Sequence, residues 1–268
     1  MVLARRPAVA AATGMAMAVM AAAAVAGCAG GRSEAPAGAP ATTAVAENAH
    51  RSAATVPSET GATGVEPAPL GRPLREGTTA LPTPRYSGTV SVEAALARRR
   101  SVRAFADRPL TTAEISQLLW SAQGVTSSEG FRTSPSAGAL YPLELYVATA
   151  EGVAHYVPAG HLLEPHLTGD RRSRLSHAAL DQPAVAVAPA VFVITGVAER
   201  TRVKYGDRGD RFVWIEAGHA AQNLLLQATA HGLAGVPIGG FSDTSLLREI
   251  ELPGGEVPLY LIPIGAPR

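Results

Sequence analysis

The placing of the aromatic residues limits the fold more than any motif does. Of the two Trp, six Tyr and five Phe in this 268-residue chain, only Tyr86 lies before residue 89. A segment so poor in ring side chains lacks the large apolar area that a close-packed core buries. The foldable unit is therefore residues 89–268, about 180 residues, which suffices for one domain around one core.

What precedes it reads as an address and a tether. Arg5 and Arg6 lead into an apolar run from Ala8 to Gly27 that ends at Cys28, the single cysteine. A basic start, an apolar middle and small residues before a cut make residues 1–27 a secretory signal peptide. Val25-Ala26-Gly27-Cys28 also resembles the bacterial lipobox, in which the cysteine receives the lipid. The run is long enough to span a membrane, but it is mostly alanine, which is weakly hydrophobic, and a buried helix gives no reason for Gly27-Cys28. The expectation is an exported protein, lipid-anchored at Cys28 on the extracytoplasmic side. Arg5-Arg6 is compatible with twin-arginine export, which carries folded proteins. Residues 28–88, rich in Ala, Pro, Gly, Thr and Ser and without periodicity, are predicted to form a disordered tether whose last residues alone can fold onto the domain.

Charge and cysteine usage exclude several functions. A formal net charge of +1 provides no field for nucleic acid, and one cysteine excludes a disulfide framework or a cysteine-rich metal site. Lysine usage is singular: of 23 basic residues, only Lys204 is lysine.

Within the domain, helical and extended patterns alternate. Ser91 is placed to cap a helix over Val92 to Arg99, and Thr111-Thr112-Ala113-Glu114 forms a capping box for a second helix carrying Ile115, Leu118 and Leu119. Leu143 to Thr149 alternates as a strand that His155-Tyr156-Val157 can pair with, Ala190 to Thr195 is a β-branched run typical of a buried strand, and Pro258 to Ile264 supplies a last strand. Between these, a helix from about Asp210 to His231 is apolar nearly all round, which suits a core or a subunit interface. The predicted class is α+β, with helices on a mostly antiparallel sheet.

Four stretches carry candidate chemistry. Arg98-Arg99-Arg100-Ser101-Val102-Arg103 gathers guanidinium forks and a hydroxyl suited to phosphate, or else a solvated patch complementing a helix C-terminus. Ser134 to Pro142 is held to loop geometry by proline and glycine, and its small Ser136, Ala137 and Gly138 let backbone approach a ligand, although an ordinary turn reads the same. Val236-Pro237-Ile238-Gly239-Gly240-Phe241 likewise suits a flat ring laid on the main chain, or a turn. Lys204-Tyr205 joins an ammonium to a phenol. A desolvated lysine sheds its proton far more readily than arginine, which gives a reason for one lysine to persist and makes the pair a candidate acid or base; the alternative is a surface lysine kept by chance. The seven histidines show no helical metal-ligand spacing, and no metal is expected.

In order along the chain, RRSVRAF, LLWSAQG, PSAGALYPLELYV, VKYGDRGDRF, EAGHAAQNLLLQATAHGL, VPIGGF and PLYLIPIG resemble the FMN-dependent nitroreductase superfamily, and within it the SagB-type, thiazoline/oxazoline dehydrogenase-like branch. The resemblance covers almost all of residues 90–266. It implies a homodimer of α+β subunits with two FMN groups at the interface, and possible use of NAD(P)H. It matches Arg99, Arg100, Ser101 and Arg103 to the stretch holding the flavin phosphate and ribityl chain. It matches Pro135, Ser136, Ala137, Gly138, Ala139 and Leu140 to the loop that reaches the flavin ring from the neighbouring subunit, and Gly239 and Gly240 to backbone facing that ring. Lys204-Tyr205 match the pair assigned in azoline oxidases to proton removal. The function it implies is two-electron hydride transfer on a small molecule or peptide. Two alternatives are a general NAD(P)H-dependent nitro or quinone reductase and a non-catalytic flavin-binding lipoprotein.

Overall fold

The computed structural model describes residues 73–268. The signal-peptide segment, Cys28 and the tether up to residue 72 lie outside the described residues.

Seven strands form one sheet: β1 (Thr79–Ala80), β2 (Leu143–Ala148), β3 (Gly152–Val157), β4 (Leu162–Thr168), β5 (Ala190–Val197), β6 (Ala234–Gly235) and β7 (Glu256–Gly265). Their order is β1-β4-β3-β2-β5-β7-β6, and every pairing is antiparallel. The predicted hairpin forms in register, with Tyr146 opposite His155. β5 is buried throughout except at Val197, because it lies between β2 and β7 with helices on both faces.

Alternation sorts the side chains into two layers. Leu143, Leu145, Val147, Phe192 and Ile194 face α2 (Thr112–Gln123) and α6 (Arg208–Ala230), packing on Leu118, Leu119, Val213 and Leu224. Tyr146, Ala148, Val191 and Val193 face the other way, toward α3 (Arg172–Ala178), α4 (Pro183–Val187) and α7 (Asp243–Glu249). The local signals work as expected. Ser91 Oγ accepts the Ala94 amide at the start of α1 (Val92–Arg98). The Thr111–Glu114 capping box opens α2, and Arg108 grips Glu114 through two 3.0 Å hydrogen bonds that hold this carboxyl below its usual range.

Two expectations differ from the structure. Residues 73–88, assigned by composition to the tether, include β1 and a buried Leu81, because Thr79 and Ala80 find an unpaired edge on β4 and Leu81 reaches the core. Helix α6 is less uniformly buried than its composition implies: Val213, Ala217, Ala220 and Leu224 point inward, whereas Trp214 and Ile215 are 60% and 44% exposed.

One polar group interrupts the second layer. Glu256 accepts hydrogen bonds from Tyr146 (3.0 Å) and Thr195 (2.5 Å). Burial nevertheless pushes its carboxyl up, and burial together with this carboxylate pushes the Tyr146 phenol up as well, so it remains a donor. A carboxyl whose pKa is raised by folding contributes stability in full below the unfolded value, about 4.3, and loses it as pH rises through the folded value. Glu256→Gln removes that titration. The urea midpoint of the variant is expected to fall less than that of the parent between pH 4.5 and pH 8; equal falls would contradict the assignment.

Candidate functional site

The acid–base candidates stand on a helix that leaves the sheet directly. α5 (Ala198–Tyr205) begins where β5 ends and carries Lys204 and Tyr205 in its last turn. Gly206, at φ 56°, reverses the chain into α6. Gly209 lets α6 lie on the α5 backbone, since a Cβ there would come 2.8 Å from the Arg202 nitrogen. The Tyr205 ring meets Phe212 edge-on, 4.9 Å between centroids. Tyr205 is half-buried and Lys204 is exposed. The chain by itself therefore does not desolvate this lysine, contrary to the expectation from sequence.

The loop from Thr133 to Pro142 is fastened to three helices. Asn223 of α6 donates to the Thr133 carbonyl and to Ser134 Oγ, and Ser134 in turn donates to Ala122 O of α2. Ser136 Oγ accepts the Tyr141 amide at 2.8 Å, closing the turn. Arg200 of α5 donates to the Tyr141 carbonyl while paired at 2.5 Å with Glu144. The Arg132 guanidinium lies 4.4 Å above the Tyr141 ring. The Ala137 amide donates to Glu216 Oε1 of α6 at 2.8 Å.

Within this loop Gly138, Ala139 and Tyr141 take left-handed φ values of 63°, 54° and 47°. A Cβ on Gly138 would fall 2.9 Å from both Lys204 Nζ and Tyr205 Oη. The loop and the Lys-Tyr pair therefore meet at Gly138, where the left-handed backbone favours glycine, and the two predicted groups form one cluster within a single chain. Pro135 and Ala139 at the crest are exposed, and Ala137 and Leu140 are half-buried.

The arginine stretch lies toward the opposite end of β7. Arg99 caps α1, and Arg100 donates to Ala97 O and Arg99 O, so part of the cluster does satisfy a helix C-terminus. Ser101 forms a bridge with Gly235 of β6, and Val102 N donates to Gly235 O. Gly235 admits no side chain there, because its Cβ would lie 2.7 Å from the Pro263 carbonyl. Arg100, Ser101 and Arg103 are exposed and Arg99 half-buried. No carboxylate of the described residues pairs with Arg98, Arg99, Arg100 or Arg103, whereas Arg108, Arg172, Arg200 and Arg202 are all paired. Further along, after Ile238 bridges Leu261 of β7, Gly239 and Gly240 present exposed backbone. A Cβ at Gly239 would touch only Tyr260, at 3.8 Å, so the chain's own packing does not require glycine at this position. The Gly240 carbonyl accepts from Gln182 Nε2, which holds the strip flat against the domain.

The candidates thus fall into separate groups. Gly235 sits opposite Ile264 and Val197, which leads into α5, sits opposite Glu256, separating the two ends by roughly 25 Å of strand at about 3.3 Å per residue. A cleft of about 760 Å³ between Asp107, Leu110, Val147, Leu163 and Arg172 is lined by none of the candidate residues. Among the described residues no cluster of His, Cys, Asp and Glu is arranged to hold a metal ion. His155 and His166 belong to strands β3 and β4, with His155 hydrogen-bonded to Glu144 at 2.7 Å and His166 to Ile250 O.

Sequence reading missed Glu216, Arg132 and Arg200. Glu216 had a visible signal: an acidic residue at a helix position shared with Val213, Ala217 and Ala220, where only apolar side chains are expected. The other two arginines had none, since their partners are remote in the chain.

The Nitroreductase family profile matches residues 96–266. A Methanocaldococcus jannaschii protein that carries the name nitroreductase is 46% identical over 182 residues, 66% of this chain and 91% of that one. The crystal structure of a Ralstonia eutropha nitroreductase superposes with a TM-score of 0.66 at 31% identity, covering 76% of this chain and 98% of its own. The Escherichia coli microcin B17-processing protein McbC is 29% identical over 132 residues, 45% of this chain and 48% of McbC.

Proposed function

The chain belongs to the nitroreductase family, and we propose that it is an FMN-dependent oxidoreductase of the SagB-type, azoline dehydrogenase-like branch, oxidising a small molecule or peptide in a step that releases a proton. Family members bind FMN and are commonly homodimers with the flavin at the subunit interface. The residues present fit that group. Unpaired guanidinium groups and Ser101 suit a phosphate and ribityl chain, and the open glycine strip suits a planar ring. The observation that carries the finer reading is the convergence of Lys204 Nζ and Tyr205 Oη on Gly138. The partial similarity to McbC, named for processing microcin B17, points the same way.

Bound FMN supplies a two-electron acceptor for hydride. Arg99, Arg100, Ser101 and Arg103 would hold its phosphate end, and Gly239 and Gly240 would present main chain to its ring. Lys204 and Tyr205 of the partner subunit take the proton that a substrate loses when hydride leaves it. The exposed Trp214 and Ile215 of α6 suit a subunit contact, and pairing two chains would close water away from Lys204. The protein works after export, lipid-anchored at Cys28 on the extracytoplasmic face. A second reading, an NAD(P)H-dependent nitro or quinone reductase, is favoured by the name of the 46%-identical relative.

The absorption spectrum tests the flavin assignment. Purified protein is expected to be yellow and to release FMN, identified by mass, on denaturation. A preparation that is colourless and stays so after incubation with excess FMN would refute it.

A further inference from the structure

Glu216 has a place in this cluster that packing does not explain. It is 3% exposed, on the face of α6 that otherwise buries Val213, Ala217, Ala220 and Leu224. A leucine there fills comparable space without removing a carboxyl from water, so the core gains nothing from the charge-bearing group. Of its two oxygens, Oε2 is buried and makes no hydrogen bond among the described residues. Oε1 accepts the Ala137 N–H at 2.8 Å, and no other acceptor of the described residues reaches that amide. Burial pushes the carboxyl up, against the pull of the Ala137 amide, the Ser136 hydroxyl, His219 and Arg132.

The amide it holds belongs to the residue before Gly138. Gly138 and Ala139 are both left-handed; glycine adopts this conformation freely, but at Ala139 it is strained and relaxes unless its surroundings fix it. Ser136 closes the turn internally, the Ala137 carbonyl accepts the Leu140 amide at 3.4 Å, and Arg200 holds the far end at Tyr141, but the Ala137 amide is tied only to Glu216. Gly138, next along, is the surface on which Lys204 Nζ and Tyr205 Oη converge.

We propose that Glu216 is a positioning residue that acts through the Ala137 amide to hold Gly138 against Lys204 and Tyr205. Its purpose rests on the reading of that pair as the acid–base group; its geometry does not.

Because Lys204 is the only lysine, full-length protein grown with ¹³C-labelled lysine has a single lysine Cε signal, which reports the surroundings of this ammonium group. In the parent that signal is expected to stand apart from that of lysine in an unfolded chain. Glu216→Gln keeps an oxygen for the Ala137 amide and is expected to keep the signal in place. Glu216→Ala is expected to move it to the position of lysine in an unfolded chain while the thermal transition shows a folded protein. Should the alanine variant not fold, Glu216→Leu refills the volume without an acceptor and is expected to give the same displaced signal. An unmoved signal in the folded variant without an acceptor would overturn the proposal, as would equal displacement in Glu216→Gln. The measurement needs neither flavin nor substrate, so a protein that binds no FMN would sink the functional reading and leave this result standing.

Discussion

Lys204→Met protein is expected to remain yellow while its flavin is bleached by substrate, in the absence of oxygen, about 10² to 10⁴ times more slowly than in the parent, the usual range for loss of a positioned acid or base. The flavin is retained because Lys204 lies at the far end of β5 and β7 from the arginine and glycine half-site of its own chain. The rate falls because a substrate that gives up hydride must also give up a proton. NADPH gives up hydride without one, so its bleaching of the same variant is expected to stay within a few-fold of the parent. Equal loss with both donors would indicate a general defect, and no loss with either would favour the plain reductase. The two half-sites also predict complementation. In a mixed dimer of Lys204→Met and Arg103→Ala subunits, one of the two sites combines an intact arginine cradle with an intact lysine, and substrate-driven bleaching returns. If both half-sites served the same flavin within one chain, mixing would restore nothing.

Phe192→Ala is expected to destabilise the domain by about 3–5 kcal/mol. The ring is fully buried at the middle of the central strand, flanked by Val147 on β2 and Ile262 on β7, and belongs to the layer shared with α2 and α6. No neighbour can close over the space it leaves without moving a strand paired on both sides. For a domain of this size 1 kcal/mol corresponds to about 2–4 °C, so the thermal midpoint is expected to fall by roughly 10 °C. A drop of only a degree or two would mean that the sheet relaxes far more than its pairing suggests.

Much of this architecture could be read from local patterns. Ser91, the Thr111–Glu114 box and the β-branched run from Ala190 each act through contacts within a few residues, and each is found as expected. β1 was not legible, because two residues acquire a strand's identity only from the edge they pair with. The same distinction holds at the candidate site. Its arginines, glycines and Lys-Tyr pair are compositional anomalies that show in sequence. That Gly138 abuts Lys204, or that Glu216 ties down Ala137 across 79 positions, depends on how α5 and α6 fold back over the loop. The exposure of Lys204 is hidden for a related reason: which surfaces meet a side chain is set by tertiary structure and not by its neighbours in sequence.

The short β1 strand has a mechanical consequence. It joins the sheet at its outermost edge through two residue pairs, Thr79 with Leu163 and Ala80 with Leu162, while β6 and the glycine strip occupy the opposite edge. Tension arriving through the N-terminal segment would unzip those pairs one at a time. The load would be shed at a rim six strands away from β6, and the central strands would never feel the pull.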